Sequence, residues 1–201
     1  MKVIAITDSA FRKEDKTGLA VKGAVIGNIQ ALDEQPGGDL HVLECFSKKQ
    51  RRVTRSTYGA ELLSLSDGVE FAKRVAVTLA ELYAPNSNLD TLRAAEETGD
   101  WPVKVEFVID AKLVYESIVA EQEKIPAEYS LILVLLQLRE GLQVGRLSRA
   151  WWCHTGDMLA DALTKGGISR NAFIEALEQG TWKLKEIAES SWSRKAIQRN
   201  D

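Results

Sequence analysis

Four acidic residues stand out because each occupies a place from which its side chain could reach a shared ion. Asp8 closes the apolar run Val3-Ile4-Ala5-Ile6-Thr7, and Asp110 closes a second, Val105-Glu106-Phe107-Val108-Ile109. Glu61 falls in the first turns of a long amphipathic segment, and Asp161 lies within Leu159-Ala160-Asp161-Ala162-Leu163-Thr164-Lys165. Two carboxylates about 4 Å apart repel by roughly 4 kcal/mol at an effective dielectric near 20. A cluster of them therefore raises some of its pKa values or binds cations. Mg²⁺ suits such a set, because it takes hard oxygen ligands and keeps water and phosphate oxygens in its shell; Mn²⁺ could substitute. Two such ions roughly 3.5–4 Å apart can activate a water and stabilise a leaving 3′-oxygen in an in-line displacement at phosphorus. Zinc is disfavoured, since His41, His154, Cys45 and Cys153 form no ligand spacing. The pattern suggests a two-metal phosphodiesterase.

Each acid also has an ordinary structural reading. Asp110 precedes a helix and could cap it, and Asp8 precedes a turn. Glu61 could simply favour the positive end of its helix dipole. Asp161 could share a solvated helix face with Asp157, one turn away.

The elements that would position these residues follow from periodicity. Residues 1–10 are apolar at nearly every position, as a central strand would be. Lys13 to Gly18 reads as a polar turn. Leu19 to Ile29 and Asp39 to Phe46 read as two more strands, joined by the breaker Gln35-Pro36-Gly37-Gly38. From Ser56 the period becomes helical, with Leu62, Leu65, Val69, Ala72, Ala76, Leu79 and Tyr83 on one face, Ser56 or Thr57 capping the start and Pro85 stopping the end. Residues 86–102 read as a loop with at most a short helix over Leu89 to Ala95. Val103 to Ile109 is the fourth strand, followed at once by a helix carrying Val114, Ile118 and Val119. Pro126 opens a third helix, whose run Leu131 to Leu136 implies burial on most sides; Gly141 and Gly145 bound its exit. Arg146 to Cys153 reads as the fifth strand, Asp157 to Lys165 as a short helix ended by Gly166-Gly167, and Asn171 to Gln179 as a last helix. The expected fold is α/β: a five-stranded mixed sheet, three antiparallel strands and then parallel ones, flanked by helices. If the first and fourth strands are parallel neighbours, Asp8 and Asp110 emerge side by side.

These segments, taken in order, resemble the ribonuclease H domain of copia-type LTR retrotransposon polyproteins. Ile6-Thr7-Asp8-Ser9-Ala10 is similar to the family's first acidic strand. Ser47-Lys48-Lys49-Gln50 with Ser56-Thr57-Tyr58-Gly59-Ala60-Glu61-Leu62-Leu63-Ser64-Leu65 resembles its "SKKQ…SSTEAEYMAL" signature. Val108-Ile109-Asp110-Ala111-Lys112 is similar to its strand-end aspartate and helix, and Leu138-Arg139-Glu140 to its "IRE". Leu159-Ala160-Asp161-Ala162-Leu163-Thr164-Lys165 resembles the "LADxLTK" ending and is the most specific match.

The resemblance covers about residues 1–180 and implies a ribonuclease H-like fold that cuts the RNA strand of RNA–DNA hybrids. It further implies Asp8, Glu61, Asp110 and Asp161 as catalytic ligands of two Mg²⁺ ions, with Asp8 bridging both. Glu61 and Asp110 would complete one metal, Glu61 also lying near the ribose 2′-hydroxyl, and Asp161 would help hold the other. An upstream reverse transcriptase domain is the implied partner. Two departures stand out: Tyr58 occupies a position often held by Glu, and Trp151 stands where related enzymes carry a mobile histidine. His154, seven residues before Asp161, is not expected to replace it.

Two rival functions remain: a catalytically weak nucleic-acid-binding module serving a partner polymerase, and another nuclease on the same fold. A late Asp in place of a helix-borne Glu argues against an integrase.

Composition bounds the rest. A chain of 201 residues that is 45% hydrophobic and 27% charged can build one soluble core without a metal or disulfide staple. The expected organisation is a catalytic domain over 1–180 and a partly disordered extension over 181–201, frayed from Ser193. No signal-like segment begins the chain and the longest apolar run is six residues, so an intracellular, membrane-free location, cytoplasmic or nuclear, is expected. The net charge of −3 is unusual for a nucleic-acid binder, yet Lys48, Lys49, Arg51, Arg52 and Arg55 place five positive charges in eight residues just before the Glu61 helix. Those five are the candidate phosphate contacts. Trp151 and Trp152, adjacent on a strand, should point to opposite faces, and both are expected to pack rather than stack on bases.

Overall fold

The computed structural model describes residues 1–11, 19–30, 37–83, 88–122, 125–182 and 189–192. The expected turn at Lys13 to Gly18, the residues Gln35-Pro36 of the breaker, Pro85 and the tail from Ser193 lie outside them. Strands and helices alternate along the described residues, beginning with strands β1 (Lys2–Ala10), β2 (Val21–Ile29) and β3 (Gly38–Lys49). Helices α1 (Thr57–Tyr83) and α2 (Leu89–Thr98) precede β4 (Lys104–Ile109), α3 (Lys112–Val119) and α4 (Ile132–Gln143). Then come β5 (Arg149–Trp152), α5 (Asp161–Thr164), α6 (Asn171–Gln179) and the short strands β6 (Thr181–Trp182) and β7 (Glu189–Trp192). Single turns of 3₁₀ helix precede α4 and α5.

The sheet order is β6-β3-β2-β1-β4-β5-β7. β1, β2 and β3 form an antiparallel meander, whereas β4 runs parallel to β1 and β5 parallel to β4. All five expected strands are present. The sixth and seventh come from the segment 181–201, where β6 pairs with β3 and β7 with β5, so both outer edges of the five-stranded core gain a cover. At two and four residues, these strands are too short to carry a periodicity in sequence.

β1 is buried on both sides, which explains its unbroken apolar run. Val3 and Ala5 face the helix layer of α1, α3 and α4, while Ile4 and Ile6 join Met158, Leu159, Ala160 and Ala176 on the opposite face. α1 follows its expected stripe through Ala76 but continues it at Ala80, and Tyr83 is 68% exposed. The Ser56 hydroxyl caps α1 by accepting from Gly59 N at 3.0 Å.

Three helical expectations change. α2 extends three residues beyond the expected end because Asn88 and Thr91 form a reciprocal capping box and Gly99 closes it at φ 69°. A Cβ at Gly99 would fall 1.8 Å from Val144 O, so that position needs glycine for space as well as for angle. α4 begins after Leu131 rather than at Pro126 and buries one face only: Leu131 and Leu135 are covered, but Leu133 is 78% exposed. The expected helix over Asp157 to Lys165 resolves into a 3₁₀ turn (Thr155–Asp157) and the single turn of α5. Among the described residues no helix is long and apolar enough to cross a membrane.

Candidate active site

The parallel register sets Ile6 beside Val108, so two residues further on Asp8 and Asp110 stand side by side at one end of the sheet. β1 continues to Ala10, which makes Asp8 a strand residue opposite Gly23 rather than a turn residue. Asp110 does not cap α3: the cap position is Ala111, with no side-chain hydrogen bond. Glu61 enters from α1 and is buried. Carboxylate oxygens of Asp8, Glu61 and Asp110 all lie within 4.8 Å of one another. Three acids distant in sequence therefore meet.

Close approach of α1 and α5 makes this possible. Gly68 of α1 lies over Thr7, where a Cβ would fall 2.4 Å from Thr7 Cγ2, and Ser64 Oγ donates to the Asp8 carbonyl at 2.7 Å. On the other face a Cβ at Gly23 would meet Thr164 Cγ2 at 2.7 Å. That contact lets α5 come down onto β2, so that Thr164 Oγ1 donates to Asp8 Oδ2. Ser47 Oγ adds a 2.6 Å bond to the Leu163 carbonyl.

Asp161 joins indirectly. It is buried on α5, and Lys165 Nζ lies 2.6 Å from its Oδ1 and 3.4 Å from Asp8 Oδ1. The fourth acid thus meets the other three through a lysine ammonium, and the alternative of a solvated helix face shared with Asp157 falls, because both residues are buried. Spacing alone singles out neither Thr164 nor Lys165. Both sit inside the "LADxLTK"-like segment, which is the one signal that could have found them.

Charge and burial reinforce each other here. Burial pushes Glu61 up to about 9, helped by repulsion from Asp8 and Asp110. Burial also pushes Asp8 up to about 7, against the Thr164 hydroxyl and the Lys165 ammonium, which both pull it down. Asp110 is raised chiefly by burial, with the Thr155 hydroxyl opposing. For Lys165 burial works downward but is outweighed by the Asp161 hydrogen bond and the neighbouring carboxylates, so its net shift is upward. Asp8 Oδ1 is buried and accepts no hydrogen bond. Hard oxygen donors, a buried Asp8 oxygen that accepts no hydrogen bond and has the Lys165 ammonium 3.4 Å away, and raised carboxyl pKa values together fit a bound divalent cation.

The surroundings hold the ligands in place. Trp152 Nε1 donates to the Asp110 carbonyl at 2.8 Å, and Lys112 Nζ lies 5.3 Å from the centre of its ring. Trp151 is buried and donates to Glu106 Oε2 at 2.8 Å. Both tryptophans are held by protein groups. His154 is exposed, and its Nδ1 accepts from Gly156 N at 3.2 Å as a local cap.

The basic run divides. Lys48, Lys49, Arg51 and Arg52 line a polar cleft beside α1, whereas Arg55 lines a separate apolar groove of about 530 Å³ with Tyr58, Leu113, Ile125 and Ala127.

No protein-family model matches the chain, and neither does any curated protein sequence. Among solved structures, RNase H1 from the halophilic archaeon Halobacterium salinarum NRC-1 aligns at a TM-score of 0.51 with 19% identity, covering 81% of this chain and 94% of that one. The fold is ribonuclease H-like. LC11-RNase H1, isolated from compost by a metagenomic approach, aligns at a TM-score of 0.45 with 17% identity, covering 81% of this chain and 91% of that one. In this ribonuclease H-like fold the carboxylates lie where β1 and β4 end beside the first turns of α1.

Proposed function

We propose that this chain is a divalent-cation-dependent ribonuclease H that hydrolyses the RNA strand of RNA–DNA hybrids. The single observation carrying the reading is the convergence of Asp8, Glu61 and Asp110 within 4.8 Å on a ribonuclease H-like sheet. Mg²⁺, or Mn²⁺ in its place, would be held by these three with Asp161 and would supply a more acidic water and a counter-charge for the leaving 3′-oxygen. Asp8 is central among the four, its two oxygens reached by the Thr164 hydroxyl and the Lys165 ammonium. Glu61 would lie near a ribose 2′-hydroxyl, the group by which RNA differs from DNA, as the family resemblance implies. The cationic run before α1 offers phosphate contacts, and the apolar groove that begins at Leu113, three residues after Asp110, offers a second strand a place to lie. The resemblance of the Ser47–Gln50, Ser56–Leu65 and Leu159–Lys165 segments to copia-type polyproteins supports a retrotransposon origin, with a reverse transcriptase domain as the partner.

The test is cleavage of labelled RNA annealed to DNA in Mg²⁺, with the same RNA spared when single-stranded. Activity that persists in both Asp8→Asn and Asp110→Asn would refute the site.

A second reading has one observation in its favour. Lys165 already neutralises part of the charge on Asp8 and Asp161, as suits a module that binds nucleic acid with little catalysis. Calorimetric titration with Mg²⁺ separates the two, because specific uptake of the ion belongs to the enzyme reading alone.

A further inference from the structure

Lys48 and Lys49 end β3, and Arg51 and Arg52 follow it after Gln50. With Lys22 from β2 they line a cleft of about 480 Å³ whose opposite wall is built from α1 and α4. Its one carboxylate, Asp67, is already paired with Lys22. Among the described residues none of the other four cations has a carboxylate within 4 Å.

The cleft is held in shape from both sides. Gln50, buried between the lysine and arginine pairs, donates twice: its backbone N to Ala20 O at 2.8 Å and its Nε2 to Ala60 O at 2.7 Å. This ties the loop to the start of β2 and to α1. The sheet register then fixes where the cleft sits. Ser9 pairs with Lys22, and Lys22 with Lys48, so the three form one row across β1, β2 and β3. With strands about 4.8 Å apart, Lys48 lies on the order of 10 Å from Ser9, the residue next to Asp8. Leu63, Ser66 and Asp67 of α1 face the cleft, while Glu61 belongs to the carboxylate cluster and Ser64 bonds the Asp8 carbonyl, so the two sites flank the same two turns of one helix.

We propose that this cleft is a phosphodiester-binding site for the strand being cut, engaged a few nucleotides from the scissile bond on the β2–β3 side. The proposal rests on the ribonuclease H reading above. Successive phosphates of one strand lie several ångströms apart through space, so a span on the order of 10 Å corresponds to a few nucleotides at most. Four cations lacking a carboxylate partner suit a polyanion that passes through, since each phosphate can take one or two of them. Arg55, on the other side of the α1 start, is not part of this grip.

The experiment uses the full chain and hybrids with one preferred cut, shortened stepwise from either end, together with a Lys48→Gln/Lys49→Gln/Arg51→Gln/Arg52→Gln variant. For the wild type, KM should fall about tenfold at a single length step within the first few nucleotides on one side only, and the variant should lack that gain. Its log KM should also depend less steeply on log salt, by about 0.9 for each phosphate that the cleft no longer neutralises. Arg55→Gln should keep the length step. A variant with the wild-type length step and salt slope, and an unchanged melting temperature, would overturn the cleft. If the wild type cuts no hybrid, the same comparison is made by fluorescence anisotropy in chelator. Length- and cleft-dependent binding there would sustain the cleft while removing the enzyme reading, and equal binding by both proteins would overturn the cleft itself.

Discussion

The two halves of the carboxylate site solve the same electrostatic problem in opposite ways. Asp8, Glu61 and Asp110 come from two central strands and a 27-residue helix, and their oxygens crowd within 4.8 Å. Asp161 comes from a single helical turn and brings its own cation, Lys165, one turn further on. The first half meets that ammonium at one acid, Asp8, at 3.4 Å, whereas Asp161 holds it at 2.6 Å. A cluster that the core forces together is therefore only partly neutralised, whereas an acid on a small element can pair closely with a side chain.

Removing a ligand from the crowded half should have the largest effect. Asp8→Asn is expected to lower kcat on the order of 10³-fold, since several kcal/mol of charge stabilisation in the transition state would depend on the ion it is proposed to hold. The same change should raise the melting temperature in chelator, because one buried like charge disappears. Loss of activity together with a lowered melting temperature would show that the residue is structural instead.

On the neutralised half the expectation reverses. Lys165→Met removes a positive charge 3.4 Å from Asp8 Oδ1 and 2.6 Å from Asp161 Oδ1. Calorimetry should then show Mg²⁺ binding tightened on the order of tenfold, with a lower melting temperature when the ion is absent. Weaker Mg²⁺ binding would mean that Lys165 positions Asp161 rather than competing for it.

A pH series sharpens the same contrast. Glu61 and Asp8 have folded pKa values of about 9 and about 7, above ordinary carboxylates, and Asp110 is also raised. Between the unfolded value near 4 and these folded values, the folded chain holds more protons than the unfolded one, so the cluster's contribution to stability declines as pH rises. In chelator the melting temperature should therefore drift downward from about pH 5 to about pH 9, by several degrees, and saturating Mg²⁺ should flatten the drift. An upward drift in chelator would contradict the buried, cation-seeking cluster.

How far the sequence shows this arrangement depends on the kind of residue. Asp8 and Asp110 are legible because each follows an apolar run, and parallel pairing of β1 and β4 makes them neighbours. Glu61 is legible because Ser56 announces the start of α1. Lys165 and Thr164 are not, because their reach to Asp8 depends on Gly23 admitting α5 to the sheet, a tertiary contact without a local pattern. The run from Lys48 to Arg55 looks like one patch in sequence. Only the fold shows that Arg52 lines a cleft beside Leu63 and Ser66 of α1, and Arg55 a separate groove beside Tyr58 and Leu113. The apolar stretch Leu131 to Leu136 misleads for a related reason: consecutive helical positions cannot all share one face, and Leu133 turns outward.

The smallest expected effect belongs to the residue that steadies the crowded half without touching an ion. Trp152 Nε1 donates to the Asp110 carbonyl, and the ring packs against the α1 side of the core. Trp152→Phe keeps most of that packing but deletes the donor, at a cost of about 1 kcal/mol, or roughly 2–4 °C in a chain of this length. If the bond only stabilises the fold, kcat should be unchanged once the protein is folded. If it holds Asp110 in register with Asp8, kcat should fall several-fold and the Mg²⁺ concentration for half-maximal activity should rise, with KM for the hybrid unmoved. The crowded half is expected to behave in the second way, because an ion shared by three acids is sensitive to a displacement of any one of them.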